Sequence, residues 1–174
     1  MIFKKHISCI YDISNKIIEV YKNKKKIMLC GNGGSSSDAL HFASEMIVKF
    51  EKERIPLPSI VLSSNISTIT AIGNDIGFNY LFSRQVEAFS QKGDILIAIS
   101  TSGKSKNILQ ALKSAKRKKI FTIGMTGENG KNMENICNLC YKAPSKITAR
   151  IQECHILIIH IIAKIIDKHF SKIS

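Results

Sequence analysis

The chain has 174 residues, 44% of them hydrophobic, and its 26 Lys and Arg against 13 Asp and Glu give a formal net charge of +13. That length suits one domain with a sizeable core, and the apolar content excludes a disordered chain. The charge raises nucleic acid or an anionic membrane as partner, but the lysines are spread along the chain rather than gathered with aromatic residues, so no nucleic-acid surface is expected.

In chain order, Ile2 to about residue 23 carries apolar residues at Phe3, Ile7, Ile10, Ile13, Ile17, Val20 and Tyr21, the spacing of an amphipathic helix. The lysine run KNKKK (Lys22 to Lys26) follows, where positive charge complements the end of a helix; KRKK (Lys116 to Lys119) has the same position later in the chain. The period then changes. IMLCG (27–31), PSIVLS (58–63), DILIAIS (94–100), IFTIGMT (120–126) and NLCYKA (138–143) are short apolar runs that read as five buried strands. Helical patterns lie between them, around 36–50, 78–89 and 106–116, and a long helix is expected over about 149–170. Strands alternating with helices predict an α/β fold, a three-layer doubly wound parallel sheet. No linker divides the chain, so 1–174 reads as a single domain with its α/β core over about 26–145.

Five cysteines make no disulfide framework, so a reducing compartment is expected. Cys137 and Cys140 form a lone CxxC with no second pair and no nearby His, which weighs against zinc or redox chemistry there. Lys4, Lys5 and His6 interrupt any N-terminal apolar run, and the greasiest stretch, Ile156 to Ile166, is too short to span a bilayer and contains His160 and Lys164. A cytoplasmic protein without membrane contact is the expectation.

In a doubly wound sheet, ligands bind beyond the carboxyl ends of the strands. Two polar loops fall there. The first, Gly31-Asn32-Gly33-Gly34-Ser35, enters the helix carrying His41 and Glu45. It is not a Walker A loop, since no GK[ST] follows, nor a full GxGxxG fingerprint, since Ser36 takes the last glycine position; a tight turn with a serine cap also satisfies its spacing. The second, Ser100-Thr101-Ser102-Gly103-Lys104-Ser105, opens the next helix with four hydroxyls, a setting that suits a phosphate.

His41 and Glu45, at i and i+4, share a helix face. Gln152 and His160 are eight residues apart and line one side of the terminal helix, within RIQECHILIIH. An ordinary surface pair and a core histidine account for such residues; so do metal ligands or an acid and a base. A polar knot, Gly73 to Asn79, reads as a turn able to reach the same cleft.

The stretches GNGGSSSDALHFASE, AIGNDIGFN, FSRQVEA, GDILIAISTSGKS and ARIQECHILIIH, in this order over about Ile27 to Asp167, resemble the sugar isomerase (SIS) domain family, most closely its phosphoheptose isomerase branch. The resemblance implies conversion of D-sedoheptulose 7-phosphate to D-glycero-D-manno-heptose 7-phosphate through an enediol, the first step towards the ADP-heptose of the lipopolysaccharide core, in a homotetramer. It also implies that Asn32, Gly33, Gly34, Ser35, Glu45, Asn74, Asp75 and Gln152 contact substrate, and that Ser100, Thr101, Ser102 and Ser105 hold its phosphate. Glu45 and His160 would be the proton-transfer pair, and His41, Glu45, Gln152 and His160 would hold one zinc ion per subunit. Lys49 stands where relatives often carry an arginine and Asn65 where they often carry an aspartate, which bears on substrate positioning and not on reaction class. The alternative is a non-catalytic SIS-fold tetramer that binds the replication initiator DnaA; that relative lacks the glutamate and histidine found here at Glu45 and His160. A sugar-phosphate sensor attached to DNA binding is a weaker rival, since no helix-turn-helix pattern accompanies the fold.

Overall fold

A computed structural model describes the backbone of residues 2–171 and the side chains of residues 6–171, so the apolar position expected at Phe3 lies outside the described side chains. The first helix, α1 (Ile2–Lys22), leads into β1 (Ile27–Gly31), α2 (Gly34–Ile47), β2 (Ser59–Val61), α3 (Ile66–Asp75), α4 (Leu81–Phe89), β3 (Ile95–Ser100), α5 (Lys106–Arg117), β4 (Phe121–Thr126), the single turn α6 (Lys131–Glu134), β5 (Leu139–Lys142) and α7 (Thr148–Phe170). All neighbouring strands are parallel, in the order β2-β1-β3-β4-β5. The five expected strands are all present, each within two residues of its expected ends.

Strand side chains alternate between two cores, as the two-residue period of a strand requires. Ile27, Leu29, Ile95, Ile97 and Ile123 face α1, α2 and α7, whereas Met28, Cys30, Leu96 and Ala98 face α3, α4 and α5. Helices on both faces explain why these strands read as continuous apolar runs. Both lysine runs end helices: α1 stops at Lys22 and α5 at Arg117, with Lys24 and Lys119 in the left-handed region just beyond. Among the described residues, no helix is long and apolar enough to cross a membrane.

Two expectations need correction. The helix expected over 78–89 begins only at Leu81, after one 3-10 turn at Phe78–Tyr80. The polar knot is no simple turn, because Gly73, Asn74 and Asp75 form the closing residues of α3. Its buried residue is Ile72 alone, so α3 carries no apolar stripe to reveal it. Asn65, the position of a departure from the family pattern, caps this helix by accepting from Thr68 N at 3.0 Å.

In the face covered by α7, His155 is buried and its Nε2 donates to Thr126 O at 3.3 Å, while Nδ1 has no partner among the described residues. Burial lowers its pKa to about 4, only partly offset by the Thr126 contact. The unfolded chain takes up a proton near pH 6.5 that the folded chain refuses, so stability falls as pH drops through that window. Urea denaturation at pH 7 and pH 5 should show about 2 kcal/mol lost through this one group. A His155→Gln variant with the same pH slope as wild type would refute the assignment.

Candidate active site

The strand order reverses direction between β1 and β3, which places the two polar loops side by side at the carboxyl edge. The residue that joins them was not singled out from the sequence. Asn107, buried in the first turn of α5, exchanges two hydrogen bonds with Asn32, each 2.9 Å between amide nitrogen and amide oxygen. Its oxygen also accepts from Ile108 N at 2.9 Å. Asparagine recurs on helix surfaces for many reasons, and only the adjacency of β1 and β3 gives this one a partner 75 residues away. Asn107→Ala leaves the Asn32 amide unpaired. A loss of about 1–3 kcal/mol in stability and a roughly tenfold fall in kcat/KM are expected, and unchanged kinetics would mean that the pair does not order the loops.

Both helices open without a side-chain cap. Gly33, with φ +53°, precedes α2, and among the described residues neither Gly33 nor Ser105 makes a side-chain cap, although Asn107 Oδ1 takes one first-turn amide of α5, Ile108 N. The Ser105 hydroxyl instead lies 3.2 Å from the Ser100 hydroxyl, across a turn closed by Gly103 N donating to Ser100 O at 3.0 Å. Ser102 Oγ accepts from Lys104 N at 3.2 Å. Ser100, Thr101, Ser102 and Ser105 are therefore gathered on one loop at an uncapped helix N-terminus, where amide dipoles favour an anion. A cavity of about 160 Å³ beside it is lined by Thr101 and Ser102 together with Lys104, Asn129 and Lys146. Lys104 is exposed, as a solvated lysine would be, but its chain forms part of this wall.

Gly34 opens α2 against the side chain of Gln152 on α7. A Cβ at Gly34 would meet Gln152 Nε2, the end of a flexible side chain, so a larger residue there would displace the Gln152 amide from its present place. Two turns further, His41 Nε2 lies 3.3 Å from Glu45 Oε1 and 3.0 Å from His160 Nε2. The i, i+4 spacing on α2 places the first pair and the packing of α2 on α7 places the second. Phe50 stacks on His160, with ring centroids 5.3 Å apart. The result is a convergent cluster: Glu45 Oε1 and His160 Nε2 both meet the one nitrogen, His41 Nε2, so a carboxylate and two imidazoles face a common point on α2 and α7. Asp38, one turn before His41, was also missed: burial raises its carboxyl above the ordinary value against an opposing pull from His41, and its Oδ2 has no partner among the described residues.

Asn74 and Asp75 are not brought to this cluster. Both are exposed at the end of α3, and Asn74 Nδ2 donates to Asp75 Oδ1 at 2.7 Å.

Two imidazoles, a carboxylate and an amide are donors that suit zinc. Among the described residues, however, no three His, Cys, Asp or Glu side chains are gathered closely enough to hold an ion. A zinc site here would draw on the Gln152 amide as well as His41, Glu45 and His160.

The SIS domain model matches residues 2–127. The chain is 52% identical to the phosphoheptose isomerase of a Nitratiruptor species over 161 residues, covering 92% of this chain and 86% of that one. The chain is a SIS-domain protein of the phosphoheptose isomerase family. Two solved phosphoheptose isomerases share the fold of this SIS domain. That of Francisella tularensis has a TM-score of 0.89 at 40% identity over 92% of this chain and 86% of its own. That of Neisseria gonorrhoeae has a TM-score of 0.87 at 38% identity over 93% and 86%.

Proposed function

We propose that this SIS-domain protein is an aldose–ketose isomerase that converts D-sedoheptulose 7-phosphate to D-glycero-D-manno-heptose 7-phosphate, and so begins the route to ADP-heptose. The observation that carries the reading is the cluster of Glu45, His41 and His160 where α2 meets α7, in a fold that also sets the serine loop at the N-terminus of α5. The serine loop anchors the phosphate, and Asn32, Gly33, Gly34 and Ser35 line the approach to the sugar. Glu45 removes a proton from C1 of the ketose, and the electron pair moves into an enediol. His160 moves a proton between the two oxygens, and the proton returns at C2. A protein that only binds an initiator has no use for such an array, and the relatives that match this chain are named as isomerases.

Zinc held by His41, Glu45, Gln152 and His160 belongs to the same proposal; when bound, it polarises the sugar oxygens as a Lewis acid. A homotetramer does too, supported by apolar side chains left in water on α1 and α7, where Ile7 is 66% and Leu157 58% exposed. Assembly is also a means by which Asn74 and Asp75 reach a substrate, in a neighbour's site. A monomer at micromolar concentration by light scattering would refute the tetramer. The proposed location is the cytoplasm.

The experiment is incubation with sedoheptulose 7-phosphate, with and without zinc, followed by NMR or mass-spectrometric detection of the aldoheptose phosphate. Product is expected. No turnover by folded, zinc-supplied protein would overturn the reading and favour the initiator-binding alternative.

A further inference from the structure

Cys137 and Cys140 take no part in the loops or the His–Glu cluster, and the fold gives them an arrangement that their spacing alone does not. Cys140 on β5 pairs with Gly124 on β4. Because Gly124 has no side chain, both sulfurs settle over its Cα: a Cβ there would meet Cys137 Sγ at 2.8 Å and Cys140 Sγ at 3.0 Å. The adjoining Cys140 thiol, then burial, pushes the Cys137 pKa up. Cys137 packs against the core of the α4/α5 face. Cys140 instead lines a cavity of about 340 Å³ at the free edge of β5, shared with His6, Cys9, Tyr141, Lys142 and Glu134. That volume is within the range of small-molecule pockets.

We propose that Cys140 and Cys137 are a redox-active dithiol that exchanges with low-molecular-weight disulfides entering this cavity. The Cys140 thiolate attacks one sulfur of the incoming disulfide; its S–S bond breaks, a Cys140 mixed disulfide forms, and one thiolate leaves and takes a proton from water. Cys137 then loses its proton and attacks the Cys140 sulfur, closing the Cys137–Cys140 bond and releasing the second thiolate. The protein gives up two electrons and two protons, and the disulfide becomes two thiols. The order follows from placement: Cys140 is a wall residue of the cavity, whereas Cys137 is packed into the α4/α5 core, and both sulfurs lie over Gly124. The proposal is independent of the sugar-phosphate reading.

The test uses the folded full-length chain and oxidised glutathione, followed by thiol alkylation and peptide mapping by mass spectrometry. The wild type, whose five cysteines are all thiols, should lose two alkylatable groups and yield a Cys137–Cys140 link that a reductant reverses. Cys137→Ser should stop at one glutathionyl group on Cys140, and Cys140→Ser should leave Cys137 unmodified. A wild type that keeps all its thiols would overturn the proposal, as would glutathionylation of Cys137→Ser at Cys9 or Cys154 in preference to Cys140. The wild-type mapping decides the question even if a serine variant fails to fold.

Discussion

Glu45→Gln should abolish isomerisation of sedoheptulose 7-phosphate while leaving the protein folded. The side chain is partly buried, and its polar contact is with His41 Nε2 at 3.3 Å, so an amide of the same shape fits the space. The backbone is unaffected, because it is the Glu45 carbonyl that accepts from Arg54 Nη2 at the end of α2. What the amide cannot do is take the C1 proton. General acid–base groups contribute roughly 10²–10⁴ in rate, so kcat should fall about a thousandfold, equivalent to about 4 kcal/mol of barrier, with KM changed far less. His160→Ala should act on the same step. Replacing both should then cost much less than the product of the two losses, as for groups that act as a unit. A folded Glu45→Gln protein turning over at the wild-type rate would remove Glu45 as the base, and the search would move to Asp38, whose raised carboxyl is the nearest substitute on the same helix.

Much of this site was legible because its signals are local. Apolar runs such as ILIAIS give a strand on either face of a covered sheet, and the loop after each strand inherits its position from the α/β layout. His41 and Glu45 announce a shared face by spacing alone. The pairing of α2 with α7, and so the 3.0 Å contact between His41 and His160, has no local signal; only the family resemblance placed those two together. Asn107 and α3 escaped for related reasons. Asn107 acts through a partner on another strand's loop, and α3 buries a single side chain.

The least legible device holds α2 on α7. Arg54 and Asp167 are 113 residues apart, with side chains 0% and 1% exposed, and Arg54 Nε donates to Asp167 Oδ1 at 2.6 Å. Asp167 Oδ2 accepts from Phe50 N at 3.1 Å, Glu51 N at 2.6 Å and Lys52 N at 2.9 Å. Arg54 Nη1 and Nη2 meanwhile satisfy the Met46 and Glu45 carbonyls that α2 leaves open at its end. Burial alone would raise the Asp167 carboxyl, but the N–H donors of the 50–52 loop and the Arg54 guanidinium outweigh it and hold it below the ordinary value. Asp167→Asn keeps the shape and strands the Arg54 charge, which should cost about 3–5 kcal/mol at neutral pH by chemical denaturation. A carboxyl depressed by folding contributes its stability above its unfolded pKa and loses it as pH falls through the folded one. The difference between wild type and variant should therefore be full at pH 7 and shrink as pH falls below about 4, where Asp167 of the unfolded chain takes its proton while the folded carboxyl, held lower, still resists. The same change should reach catalysis, because the loop that Asp167 holds carries Phe50, and Phe50 stacks on His160. kcat should drop more than KM rises in whatever fraction stays folded. A variant within about 1 kcal/mol of wild type at pH 7 would show that the apolar contacts of α2 with α7 suffice to hold the two helices together, since breaking a buried pair ordinarily costs several times that.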